Sequence, residues 1–143
     1  MSNTELTCRR ILFNGALVLL VGLACGFLAI TETPGTSMSW RAVHSALLMA
    51  GIWLLATGSA ISHLVLDSRS VQALGWSLIA AAHGFMLTLM VQAVTGVRGL
   101  EPGESFATLA AFAGNIVAVL AGLLAALLTL QGAYTALKTP KVA

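Results

Sequence analysis

The stretch ILFNGALVLLVGLACGFLAI, residues 11–30, contains twenty residues and no charged side chain. At a rise of about 1.5 Å per residue, a helix of this length spans about 30 Å, the thickness of the hydrocarbon layer of a membrane. The alternative, a cleaved signal peptide, has a shorter apolar core of about 7–15 residues. The length of the run therefore favours a retained transmembrane helix.

Three further apolar runs follow, separated by polar or helix-breaking residues. Pro102 and Gly103 interrupt the pattern before the last run, and Ser105 is suited to cap the helix that follows. Short connections favour antiparallel packing of consecutive helices. The sequence thus predicts an all-α, integral membrane, four-helix antiparallel bundle, a single domain over residues 1–143, with helices over about 11–30, 40–66, 71–97 and 105–137.

The composition points in the same direction. Apolar residues make up 58% of the chain and charged residues 8%, whereas a soluble domain carries about a quarter charged residues. A net charge of +2, without clustered Lys and Arg, does not indicate a nucleic-acid partner. Cys8 and Cys25 are far apart and form no CxxC pair, so a disulfide framework is not expected.

Basic residues predict the orientation, because cytoplasmic loops carry an excess of Lys and Arg. If the N-terminus is cytoplasmic, that side carries Arg9, Arg10, Arg69, Lys138 and Lys141, and the outer side carries Arg41 and Arg98. We therefore expect both termini in the cytoplasm and a multi-pass protein of the inner (cytoplasmic) membrane.

Small residues recur at helical spacing in the first and last runs. Such stripes let helix backbones approach in lipid, so we interpret them as packing faces. They consist of Gly15, Gly22 and Gly26 in the first run, and of Gly114, Ala118, Gly122 and Ala126 in the last.

Polar side chains within the apolar runs carry more information, because each costs free energy in lipid unless it is paired. Gln92 and Asn115 are interpreted as hydrogen-bonding residues between helices, with a polar seam through Asn115, Thr108 and Gly122 as an open alternative. The polar residues considered within the apolar runs are Asn14, His44, His63, His83, Gln92 and Asn115.

His44 shares a helix face with Gly51 and Gly58, which follow at steps of seven residues. An imidazole beside a face without side chains leaves room for a flat group such as haem, for which His is a common axial ligand. On this pattern we consider His44 as a haem-iron ligand, with Gly51 and Gly58 lining the cofactor. An interfacial histidine and a helix contact are the alternatives.

His83 is the deepest ionisable residue, near the middle of the third run. A proton-relay role and a structural role are both open for it. The sequence contains no HExxH, GxSxG or phosphate-binding loop. No carboxylate lies in the centre of a run, which argues against a carboxylate acid–base pair and against ion-driven transport.

Several segments resemble the membrane-bound styrene oxide isomerases and the related hydroxylaminobenzene mutases. Residues 10–17, RILFNGAL, and 21–26, VGLACG, are similar to the basic start and glycine-spaced run of that group, with Asn14 in place of His. The segment WRAVHS at 40–45 resembles the part of the isomerases in which an Ala-His-Ser follows Trp and Arg. LGW at 74–76 and GAYTALK at 132–138 are similar to the start of the family's third helix and to the end of its chain.

The resemblance implies a homotrimer with haem b bound between protomers and with His44 as the axial ligand of the iron. The ferric iron acts as a Lewis acid on a small hydrophobic substrate. The implied reaction is a redox-neutral rearrangement, from epoxide to aldehyde or from arylhydroxylamine to aminophenol.

The chain departs from the family at polar positions. Ala50 stands where the isomerases carry Asn six residues after the axial His, and their third-helix Asn and Tyr have no match. In residues 82–90 only His83 and Thr88 are polar, and His83 is the candidate catalytic replacement. The alternatives are a haem-binding membrane protein with another task and a non-catalytic membrane subunit or scaffold.

Overall fold

A computed structural model describes residues 2–31 and 37–138. Within them lie four long helices and no strand, which confirms the predicted all-α four-helix bundle. Each helix is long and apolar enough to cross a membrane. The helices are α1 (Asn3–Leu28), α2 (Ser37–Ala60), α3 (Ser68–Thr95) and α4 (Phe106–Lys138).

The first helix begins at Asn3 instead of at Ile11, the predicted start of the first apolar run. Ser2 caps it, because its hydroxyl accepts the N–H of Glu5 at 3.2 Å. Glu5 and Arg9, which are one helical turn apart, form an ion pair at 2.6 Å that stabilises the polar first turns of this helix. Hydropathy therefore located the apolar span of this helix, whereas its start depends on capping and charge pairing.

The second helix ends earlier than the predicted boundary at residue 66. It stops at Ala60, continues as a short 3-10 helix over Ile61–His63, and becomes extended at Leu64. The N–H of Val65 then donates to the carbonyl of Gly132 at 3.2 Å. A side chain at Gly132 would meet Leu64 and Leu66 at about 3 Å, so this apolar segment packs across the end of α4 instead of prolonging α2.

Side chains cap α3 and α4. The hydroxyl of Ser105 accepts the N–H of Thr108 at 3.1 Å, which confirms its predicted role as an N-cap. Asp67 accepts the N–H of Ser70 at 2.7 Å, and the hydrogen bonds from Ser70 hold the pKa of the Asp67 carboxyl below its usual value. The third helix ends at Thr95. Its C-cap is Gly96, whose φ of 76° is the left-handed geometry that favours glycine.

The bundle consists of two antiparallel pairs, α1 with α2 and α3 with α4. The predicted α1 stripe of Gly15, Gly22 and Gly26 faces α2, because side chains there would meet Leu55, Leu47 and His44. On α4, the stripe divides: Gly114 lies against α3, whereas Gly122 has no atom closer than 3.9 Å to an added Cβ. The packing interpretation therefore holds for α1 and for the first part of the α4 stripe.

The third helix joins the two pairs, and the start of α1 and the end of α4 lie on one side of the bundle. The Asn3 amide donates to the Ser68 hydroxyl at 3.4 Å, so α1 and α3 start at the same end. The Arg10 guanidinium lies 5.6 Å from the ring centre of Trp76 nearby, and the Val65–Gly132 bond brings the end of α4 to this side. Lys141, which the predicted orientation used, lies outside the described residues.

Candidate ligand site

His44 lies on the face of α2 that packs against α1. Its Nδ1 is 2.7 Å from the carbonyl oxygen of Gly22. Because a carbonyl only accepts, Nδ1 donates this hydrogen bond and Nε2 is the nitrogen left for another partner, which is the arrangement typical of a metal-ligating histidine. Gly26 makes room for the ring, since a Cβ there would lie 2.9 Å from Nδ1.

The two glycines predicted beside His44 do not form an open recess. A Cβ at Gly51 would lie 2.6 Å from Cγ of Leu19, and one at Gly58 would lie 3.0 Å from Cγ2 of Ile11. Within one chain, α1 therefore fills the face at Gly51 and Gly58. The roles of His44, Gly51 and Gly58 in holding haem stay predictions.

A cavity of about 560 Å³ opens on the other side of α2, between α2, α3 and α4. Its size is within the usual range for small-molecule sites. Its walls are mainly alanine, with Met49, Trp53 and Phe85 as the larger apolar residues, and we call it the α2–α4 cavity. The residues that line this cavity include Ala50, Trp53, Ala82, Phe85, Asn115, Ala118 and Gly122.

Asn115 brings an amide to this cavity. Its Nδ2 donates to the carbonyls of Arg98, at 3.2 Å, and Gly99, at 2.8 Å. The predicted hydrogen bond of Asn115 to another helix is thus replaced by bonds to the α3–α4 connection. That connection folds back along α4 with Gly99 at a φ of 60°, where a Cβ would lie 2.5 Å from Ala111.

His83 lies on the opposite side of α3 from the α2–α4 cavity. Its Nδ1 is 2.9 Å from the carbonyl of Ile79, one turn earlier in the same helix. It lines a separate recess of about 340 Å³ with Gly84, Leu87 and Gly114. Its catalytic role stays a prediction, and its position does not supply a polar group to the larger cavity.

Ala50 lines the cavity from α2, and Asn115 lines it from α4. The sequence contained a signal for this, since Asn115 is a rare polar residue in an apolar run, but its spacing did not indicate the partner. Among the described residues, no three His, Cys, Asp or Glu side chains cluster as a metal site would require; this does not bear on a haem held by one histidine.

A family model described as styrene oxide isomerase matches residues 7–134, which include most of α1, all of α2 and α3, and α4 as far as Tyr134. No curated protein matches the chain.

Proposed function

Because the chain belongs to the styrene oxide isomerase family, we propose that this isomerase-like membrane protein binds haem b and rearranges a small aromatic substrate. The reaction is redox-neutral: an epoxide becomes an aldehyde, or an arylhydroxylamine becomes an aminophenol. Substrate and product have the same atoms, so no oxidant, reductant or second substrate is required. The α2–α4 cavity has the size and apolar walls that such a substrate needs.

The observation that carries the haem proposal is the hydrogen bond between His44 and Gly22. The carbonyl accepts the N–H of Nδ1, so Nε2 is the nitrogen of His44 that would hold the haem iron. When bound, ferric haem supplies a Lewis acid for the substrate oxygen. The protein then has to hold the aromatic ring and present polar groups, and for these tasks the α2–α4 cavity offers apolar walls and the side chains of Trp53 and Asn115.

One chain does not bring His44 to its own cavity. Trp53 lines the cavity and is nine residues from His44, which at about 100° per residue is the opposite side of α2. We therefore propose a homo-oligomer, a trimer by family resemblance, in which a neighbouring copy covers the haem at His44. Native mass spectrometry in detergent counts the copies.

Ala50 favours an alternative in which the protein has no isomerase activity. Polar groups around a cofactor orient the substrate, and Ala50 provides none where the isomerases carry Asn. A haem-binding membrane subunit without isomerase activity, or a scaffold without haem, is the second candidate function. Haem content and turnover together distinguish these alternatives.

The test is the absorption spectrum of the detergent-purified protein after reconstitution with haem b. We expect a Soret band in the wild type, and we expect His44→Ala to abolish it. His83→Ala is the matched control, because His83 also donates Nδ1–H to a backbone carbonyl, and it should keep the band.

The same membranes are then incubated with styrene oxide and with N-phenylhydroxylamine. Rearrangement of either substrate that depends on His44 supports the isomerase proposal. A Soret band without turnover supports the subunit alternative. A wild-type protein that takes up no haem contradicts the haem proposal.

A further inference from the structure

The α2–α4 cavity presents few polar atoms to a ligand. Among its lining residues, Asn115 and Trp53 are those with a nitrogen or oxygen in the side chain. The indole N–H of Trp53 only donates, whereas an asparagine amide donates through Nδ2 and accepts through Oδ1. The direction in which Asn115 is fixed therefore decides which ligand chemistry the cavity recognises.

The loop fixes that direction. Two backbone carbonyls, of Arg98 and Gly99, lie 3.2 and 2.8 Å from Nδ2 and take both of its hydrogens. A flipped amide would place Oδ1 against these two acceptors, which is unfavourable. The close packing of Gly99 on Ala111 holds the carbonyls in place, so the amide is oriented before any ligand arrives.

The remaining polar atom of Asn115 is Oδ1, an acceptor. Among the described residues, no side-chain nitrogen or oxygen is both sealed from solvent and without a hydrogen-bond partner. Asn115 has hydrogen bonds only through Nδ2, so Oδ1 is accessible. Asn115 lines the cavity, so a ligand bound there would meet this oxygen as the acceptor of the Asn115 amide.

We propose that Asn115 is a specificity-determining residue that selects aromatic ligands bearing an O–H or N–H donor. This inference rests on the proposed function and chooses between its two substrate classes. The N–OH group of an arylhydroxylamine donates to Oδ1. An epoxide oxygen has only lone pairs, so an aryl epoxide leaves Oδ1 unpaired in an apolar cavity, which is costly.

Trp53 does not change this preference. Its N–H donor serves an epoxide oxygen and a hydroxylamine oxygen equally well. The apolar walls contact the aromatic ring of either ligand. Discrimination therefore comes from Asn115, and the cavity favours arylhydroxylamines over aryl epoxides.

Binding of phenol and of anisole tests the inference without turnover, because the two ligands differ in the donor that methylation removes. Affinities are measured by calorimetry on the purified full chain and corrected for partition into empty micelles. We expect phenol to bind the wild type about three- to tenfold more tightly than anisole, the effect of about one hydrogen bond. Asn115→Leu should reduce this ratio to about one.

Two controls separate the effect of the Asn115 acceptor from general effects of a lost hydrogen bond or of a smaller cavity. Thr129→Val removes a hydrogen bond within α4, to Ala125, outside the cavity and should leave the ratio unchanged. Ala118→Leu fills the cavity and should weaken both ligands together. If Asn115→Leu does not fold, Asn115→Ala replaces it, and the wild-type ratio is informative by itself.

Equal affinity of the wild type for phenol and anisole overturns the inference. So does a phenol preference that persists in a folded Asn115 variant, or a higher kcat/KM for styrene oxide than for N-phenylhydroxylamine. Absence of haem contradicts the proposed function but leaves the phenol preference to be measured. A haem protein that prefers the epoxide contradicts this inference alone.

Discussion

At the scale of single residues, the backbone carbonyls of this bundle set the chemistry of its polar side chains. His44 and His83 each lie within hydrogen-bond distance of a carbonyl through Nδ1, and Asn115 donates to two carbonyls. In lipid no water competes for these groups, so the carbonyl partner determines which atom remains free. The free atom is Nε2 in the histidines and Oδ1 in Asn115.

Thr88 gives a prediction at this scale. Its buried hydroxyl donates to the carbonyl of Ala111 on the neighbouring helix at 2.9 Å. Thr88→Val keeps the shape and removes this bond, so we expect unfolding in mixed micelles to require about 0.6 kcal/mol less free energy. Thr129→Val is the control, because Thr129 bonds only within α4, to Ala125, and its replacement should have little effect. Equal losses in both variants would contradict the role given to the interhelical bond.

At the scale of elements, two positions on α4, Gly114 and Gly122, have different surroundings. Near Gly114 the helix lies against α3 so closely that a Cβ would be 2.5 Å from Oγ1 of Thr88 and 2.8 Å from the carbonyl of Gly84. Two turns later, Gly122 faces the cavity. The same repeated spacing of small residues thus serves helix contact at one position and ligand space at another.

A matched pair of substitutions tests this division. Gly114→Ala must push α3 and α4 apart, so we expect a loss of about 1–3 kcal/mol in unfolding free energy. Gly122→Ala adds the same methyl group where the nearest atom is 3.9 Å away, and stability should stay close to that of the wild type. Detergent unfolding of both variants gives the comparison. A larger loss of unfolding free energy in Gly122→Ala than in Gly114→Ala would contradict this difference between the two positions.

At the scale of the whole molecule, charge and packing give the bundle two distinct ends. Arg9, Arg10, Arg69 and Lys138 lie at the end where α1 begins and α4 ends, whereas Arg41 and Arg98 lie at the other. The basic end is the one that cytoplasmic loops normally form. We therefore propose that both termini are cytoplasmic and that the membrane is the inner one.

Reporter fusions test this orientation. A phosphatase that is active only outside the cytoplasm should be inactive when fused after Ala143 and active when fused after Arg98. A fluorescent protein that folds only in the cytoplasm should give the reverse pattern. Phosphatase activity at the C-terminus would invert the proposed topology.

The sequence by itself determined the four spans, the Ser105 cap and the unequal distribution of basic residues. These follow from local rules, because lipid requires about twenty apolar residues per crossing and a cap needs only its own first turn. The sequence also identified His44 and Asn115 as unusual polar residues within apolar runs.

Only the tertiary structure decided what surrounds those residues. The pattern of His44, Gly51 and Gly58 is compatible with an open face or with a packed one, and α1 occupies it. Likewise, spacing along α4 cannot reveal that the loop after α3 returns to take both hydrogens of Asn115. Helical periodicity defines which residues share a face, but contacts between distant segments determine what that face meets.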